Sequence, residues 1–179
     1  SSNNSLMIEV IDNAIPRRLC QEAYYYLDMY SGWQRLADSP DTGSNYTLGC
    51  TFTMDELEPI AAKVYEAIGK PRAKKCLYNC FRHGDSPSPH VDSFSPKGIT
   101  YLLYVNLEWS VDMGGETIFI NSETDDIVKS VLPRAGRLIK FDSTIPHMAR
   151  PPVRDGYPRR YSIVFQSHPT DDISISDIL

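Results

Sequence analysis

A chain of 179 residues is long enough to bury one substantial core, and 41% apolar against 23% charged residues describes an ordinary soluble globular protein. No apolar run reaches the length of a membrane span, no basic apolar leader opens the chain, and a net charge of −5 argues against a nucleic-acid coat or a polybasic anchor. We therefore expect one cytoplasmic domain over 1–179, monomeric or weakly dimeric, with neither nucleic acid nor membrane as a partner.

The charge is uneven. Residues 129–160 hold eight Lys/Arg against Asp142 and Asp155, whereas residues 1–128 hold ten basic and eighteen acidic side chains. The basic half suits a pocket for an anionic dicarboxylate, although solvated surface charge explains most of these residues equally well. Four cysteines do not make a disulfide scaffold. Cys76 and Cys80, the close pair, would lie about 13 Å apart along one strand, beyond the roughly 7 Å limit for a bridge. All four are read as reduced thiols.

Along the chain, the polar opening Ser1–Ser5 is expected to be disordered. A first helix is predicted from near Pro16, which fits a first helical turn, to about Tyr30 before Gly32. Leu19, Ala23, Tyr26, Leu27 and Tyr30 form its apolar face. A second helix is predicted from a capping box of Thr53 and Glu56, with Leu57, Ile60, Ala61, Val64 and Ile68 on one stripe and Gly69 and Pro71 ending it. Between them, Ala37 to Gly49 reads as a loop, either a connector or a lid. From Lys75 the pattern changes to short strands at 76–82, 99–107, 117–120, 137–141 and 161–166, separated by turn residues. Asp112-Met-Gly-Gly115 is a hairpin signal. The class implied is mainly β with flanking helices, a jelly-roll sandwich whose core spans 76–166. His168 and the tail Asp171–Leu179 are expected at the surface or a docked edge.

The chemistry-bearing pattern is His90-Val-Asp92 followed by a distant His147. On an extended strand, His90 and Asp92 project from one face. With His147 they make a two-His, one-carboxylate set that covers one face of an octahedral metal, the arrangement of non-haem Fe(II) oxygenases. No cysteine stands where it would complete a tetrahedral zinc site. Further on, Arg160, Ser162 and Val164 share one face of a strand and Arg159, Tyr161, Ile163 and Phe165 the other.

In this order Phe81-Arg-His-Gly84, His90-Val-Asp92, Tyr104-Val-Asn106, Gly114-Gly-Glu-Thr117, Pro133-Arg-Ala-Gly-Arg-Leu-Ile-Lys-Phe141, His147 and Arg160-Tyr-Ser162 resemble the 2-oxoglutarate/Fe(II) dioxygenases, in particular the prolyl 4-hydroxylase-like branch. The resemblance implies a double-stranded β-helix core with Fe(II) held by His90, Asp92 and His147. It implies 2-oxoglutarate and O2 as cosubstrates, ascorbate as a stimulant, and hydroxylation of a C–H bond with succinate and CO2 as coproducts. Related halogenases lack the carboxylate, so Asp92 favours hydroxylation. The distal carboxylate of 2-oxoglutarate would meet Arg160, whose guanidinium can grip it bidentately, with Tyr104 and Ser162 beside it. Where relatives carry a Tyr, this chain has Phe81; Asn79 or Tyr78 could replace the missing hydroxyl. His83 and Trp109 are read as surface and packing residues, with the site entrance as their alternative. The 37–49 loop matches the place of a lid in related hydroxylases. The substrate implied is a prolyl residue in a peptide or protein, with a free amino acid or other small metabolite as runner-up. Two rival classes are a β-sandwich binding module without metal and a cupin-type metal enzyme that needs no 2-oxoglutarate.

Overall fold

The computed structural model describes residues 6–37 and 46–167. Within them run β1 (Ile8–Ile11), α1 (Arg17–Asp28), β2 (Gln34–Ala37), β3 (Tyr46–Thr53), α2 (Pro59–Ala67), β4 (Lys75–Phe81), β5 (Ile99–Tyr104), β6 (Thr117–Asn121), β7 (Asp126–Val131), β8 (Leu138–Asp142), β9 (His147–Ala149) and β10 (Arg160–Gln166). One sheet has the order β1-β8-β5-β10-β4-β3-β2 and the second the order β7-β6-β9, so sequence neighbours are repeatedly separated in space. All pairings are antiparallel. This is the double-stranded β-helix, with both helices against the outer face of the larger sheet.

Strand alternation builds two interiors. On β4 the buried residues are Cys76, Tyr78 and Cys80, and they meet Tyr161, Ile163 and Phe165 of β10 beneath Cys20, Ala23 and Leu27 of α1 and Ile60, Ala61 and Val64 of α2. The opposite face of β10, with β5 beside it, turns inward, where Leu102, Tyr104 and Val164 meet Phe119, Val131, Ile139, Phe141 and Ile145. Because β10 is buried on both faces, its side chains have no solvent-facing positions. Removing Leu27 to Ala would cost about 2–5 kcal/mol in a core of this kind. All four cysteines are buried and unpaired, and burial pushes the thiols of Cys76 and Cys80 upward, away from the reactive thiolate.

Several expectations are corrected. Pro16 caps α1 in an extended conformation rather than entering it. Thr53 and Glu56 bond through their side chains at 2.6 Å, but over a short 3-10 turn at Met54–Glu56. The second helix begins only at Pro59, whose missing N–H costs nothing in a first turn. The Ala37–Gly49 segment is strand at both ends, with Ala37 paired to Tyr46 and Gln34 to Gly49; 38–45 lie outside the described residues, as do Ser1–Ser5, His168 and the tail. No hairpin forms at 112–115. A 3-10 turn leads there into Gly114 and Gly115, both at positive φ. Finally, His90 and Asp92 are not on a strand: His90 forms one isolated bridge to His147.

Candidate metal and cosubstrate site

The bridge is what brings the histidines together. His90 and His147 exchange backbone hydrogen bonds of 3.0 and 2.9 Å. Each ring then repeats one device. Nδ1 of His90 lies 3.0 Å from the carbonyl of Ser88, and Nδ1 of His147 lies 2.9 Å from that of Ile145. A carbonyl only accepts, so both Nδ1 atoms carry the proton and both Nε2 lone pairs face the site. Asp92 Oδ1 stands 3.4 Å from His90 Nε2 and 3.3 Å from His147 Nε2. One ligand atom from each residue falls within 4.8 Å of the others, a spacing that one ion can span. Burial pushes the Asp92 carboxyl up, yet the two imidazoles, when protonated at Nε2 as well, donate to it and hold the group well below the usual carboxylate range. Phe141 and Phe119 wall the His147 ring. His90 is the exposed member, with 52% of its side chain accessible. These donors fit a divalent iron, two neutral imidazoles and one carboxylate with room beside them.

The room is a cavity of about 160 Å³ between the sheets, reaching from the triad to Arg160. An apolar cavity of about 150 Å³ takes a benzene-sized molecule, so this one matches a small organic acid. Arg160 is 1% exposed. Its Nε donates to the Gly115 carbonyl at 2.6 Å and Nη2 to Thr117 Oγ1 at 2.8 Å. Thr117 also hydrogen-bonds the Tyr104 hydroxyl, and the Phe81 and Tyr104 rings each lie 5.1 Å from the guanidinium carbon. Burial lowers the guanidinium pKa, with Tyr104 opposing. Among the described residues no carboxylate forms an ion pair with it. A buried cation without a counter-ion is costly, and an incoming carboxylate removes that cost.

Local sequence explains the cradle. Asn106 donates to the Arg159 carbonyl at 2.8 Å and accepts from the Tyr161 N–H at 2.7 Å, clamping the backbone on both sides of Arg160. Gly115, at φ 72°, leaves space that a Cβ would fill to within 2.4 Å of Trp109 Cζ2. The two glycine carbonyls are then divided, Gly114 accepting from Trp109 Nε1 at 2.7 Å and Gly115 from Arg160.

The cavity brings together His90, Asp92, His147, Arg160, Ser162, Asn79 and Phe81. Ser162 is paired with both Asn79 and Tyr104 across the sheet, and Asn79 Nδ2 reaches Ser162 Oγ at 3.5 Å. Of the two stand-ins for the missing hydroxyl, Asn79 faces the cavity; Tyr78 points into the helix-side core and is ruled out by strand alternation. His83 lies in a separate surface hollow with Arg82 and Arg159, its Nδ1 3.1 Å from the Pro152 carbonyl. Trp109 is buried and supports the Gly-Gly turn rather than the entrance. Sequence reasoning missed Thr100, Thr117 and Gln166, which also line the cavity. The available signal was the shared face of Thr100 with Leu102, and of Gln166 with Ser162 and Val164, on strands already recognised; Thr117, at the start of β6, had no signal of that kind.

The model of the 2OG-Fe(II) oxygenase superfamily matches residues 76–167, about half the chain. No curated protein matches the chain significantly in sequence. Among solved structures, a Pseudomonas putida prolyl-4-hydroxylase is 17% identical with a TM-score of 0.65, covering 90% of this chain and 92% of that one. A Trichoplax adhaerens prolyl hydroxylase in complex with a hypoxia inducible factor oxygen degradation domain peptide is 18% identical at TM-score 0.68, covering 91% and 84%. SnoN, a non-heme alpha ketoglutarate dependent epimerase from nogalamycin biosynthesis, is 15% identical at TM-score 0.61, covering 89% and 77%. At these identities the likenesses establish the fold, which is shared by hydroxylases and an epimerase alike. Among the described residues no helix is long and apolar enough to cross a membrane. With the family model spanning the triad, the cavity and Arg160 together, the chain belongs to the 2OG-Fe(II) oxygenase superfamily and is a 2-oxoglutarate-dependent dioxygenase.

Proposed function

We propose that this protein belongs to the prolyl 4-hydroxylase-like branch and hydroxylates a prolyl residue presented by a peptide or protein, releasing succinate and CO2. The observation that carries this reading is the buried Arg160, without an ion pair among the described residues, sharing one small cavity with the His90–Asp92–His147 triad. Arg160, with Tyr104 and Thr117 beside it, would bind the distal carboxylate of 2-oxoglutarate, and Ser162 and Asn79 would line its path toward the metal. His90, Asp92 and His147 would hold Fe(II), which when bound supplies the oxygen-activating chemistry for C–H hydroxylation. Asp92, a carboxylate where halogenating relatives have none, favours hydroxylation. Ascorbate is expected to stimulate turnover.

The cavity is too small for a folded segment, while His90 leaves one side of the triad open. A substrate that inserts a single ring from a longer chain suits that shape, and a hydroxylase co-crystallised with a peptide shares the fold. Succinate release with Fe(II) and 2-oxoglutarate tests the reading. Prolyl peptides should stimulate it above the substrate-free rate and more than free proline. Stronger stimulation by free proline or an unrelated metabolite would overturn the peptidyl assignment and leave the dioxygenase standing.

A further inference from the structure

Behind the metal-site carboxylate stands a pair of buried hydroxyls, whose role rests on reading His90, Asp92 and His147 as metal ligands. Thr100 Oγ1 donates to Asp92 Oδ2 at 2.7 Å, and Ser143 Oγ lies 2.9 Å from Thr100 Oγ1. Both hydroxyl residues are almost fully buried, at 1% and 2% exposure. A carboxylate that binds a metal only accepts, and threonine has one hydroxyl proton. That proton goes to Asp92, so Ser143 must donate to Thr100. The chain therefore has one direction, from Ser143 through Thr100 to Asp92.

Ser143 also holds the backbone of the same loop. Its carbonyl accepts from the N–H groups of Asp92 at 2.9 Å and Ser93 at 3.2 Å, and its own N–H donates to Gly98 at 2.9 Å. The close approach depends on Gly98, where a Cβ would come within 3.0 Å of Ser143 Cβ. Carboxylate torsions are broad and nearly two-fold, so an unsupported Asp92 could offer either oxygen or both. Here Oδ1 faces both imidazoles and Oδ2 is engaged from behind. We propose that Thr100, oriented by Ser143, is a positioning residue that fixes Asp92 to present a single oxygen to the metal and thereby sets metal affinity. Space-filling alone would not require the hydroxyl, because valine has the same shape.

Titration of metal-free protein with Mn(II), counting free ion by electron paramagnetic resonance, separates the two roles without relying on turnover. Loss of an outer partner of a metal ligand typically weakens metal binding about 10- to 100-fold. Thr100→Val should fall in that range, Thr100→Ser should recover most of the loss, and Ser143→Ala should weaken binding less than Thr100→Val. Circular dichroism and thermal unfolding of the metal-free variants report whether each has folded. Wild-type affinity in folded Thr100→Val overturns the proposal, as does a Thr100→Ser variant as weak as Thr100→Val, which would assign the effect to the methyl group. Should Thr100→Val fail to fold, unchanged affinity in Ser143→Ala overturns it instead. Failure of the wild-type protein to bind Mn(II) removes the ligand assignment itself, and the positioning role with it.

Discussion

Replacing Arg160 with Met keeps the apolar stem and removes a guanidinium that is 1% exposed and has no ion pair among the described residues. Two terms oppose each other in the unliganded protein. The variant loses the hydrogen bonds to Gly115 and Thr117, and it also sheds the desolvation of an uncompensated charge. We therefore expect it to fold with stability near that of the wild type. In the complex the terms no longer oppose, since a buried carboxylate would face an apolar side chain. Truncating one member of a buried charge pair costs about 2–5 kcal/mol, or about 30- to 4000-fold in affinity at 1.4 kcal/mol per tenfold. Isothermal calorimetry of 2-oxoglutarate with Mn(II)-loaded protein, which binds without turning over, measures this directly. Arg159→Met, an exposed change on the opposite strand face, should alter affinity little. If Arg160→Met binds within about threefold of wild type, or if Arg159→Met carries the loss, the anchor assignment is wrong.

Other expectations follow from separate parts of the site. His90→Ala, Asp92→Ala and His147→Ala should each fold yet abolish turnover, because the ligands act as one unit; folded variants with near-normal succinate formation at all three positions would remove the metal centre. Saturating Mn(II) at about 100 times Kd should stabilise the wild type by about 2.7 kcal/mol, a rise of roughly 5–11 °C for a domain of this size, and those variants should lose the rise in a thermal scan. Gly115→Ala places a methyl 2.4 Å from Trp109 at positive φ, so it should destabilise by about 1–3 kcal/mol and also weaken 2-oxoglutarate binding, a coupling that calorimetry on the folded fraction would detect. Among the described residues the buried Gln166 Oε1 has no hydrogen-bond partner, so Gln166→Leu should raise stability by about 1 kcal/mol in denaturant titrations, whereas Tyr78→Phe, whose hydroxyl faces Glu58, should not raise it. Only Gln166→Leu, which changes the cavity wall, should also alter substrate-stimulated turnover; equal effects of both on turnover would contradict the division of faces.

The fold class and the grouping of the candidate site residues were legible in the sequence; the exact elements around them were less so. His90, Asp92, His147 and Arg160 are residues whose chemistry is rare in packing, so their spacing stands out against an apolar background. Strand alternation sorted Arg160 from Arg159 correctly because β10 is regular along its whole length. The same reasoning misplaced His90 and Asp92 on a strand, since a single backbone bridge to a residue 57 positions away leaves no local pattern. Strands β1, β2, β3, β7 and β9 escaped for a related reason: they are short, or flank a loop, or, like β7 with residues 126–130 exposed, carry no buried face until Val131. The capping box expected at Thr53 does not form: Thr53 and Glu56 bond side chain to side chain with no cap bond to the backbone, and Pro59 decides where α2 can start.

The division of β10 has an evolutionary consequence. Its even positions hold Arg160, Ser162, Val164 and Gln166 against the cavity, while Tyr161, Ile163 and Phe165 hold the helices in place. A slip by one residue would drive three large apolar side chains into the reaction chamber and strand a guanidinium under the helices, so drift in register is lethal to folding and chemistry together. Insertions and deletions are therefore excluded from this strand. New substrate preferences would then arise where neighbours can change singly, around His90 and the rim.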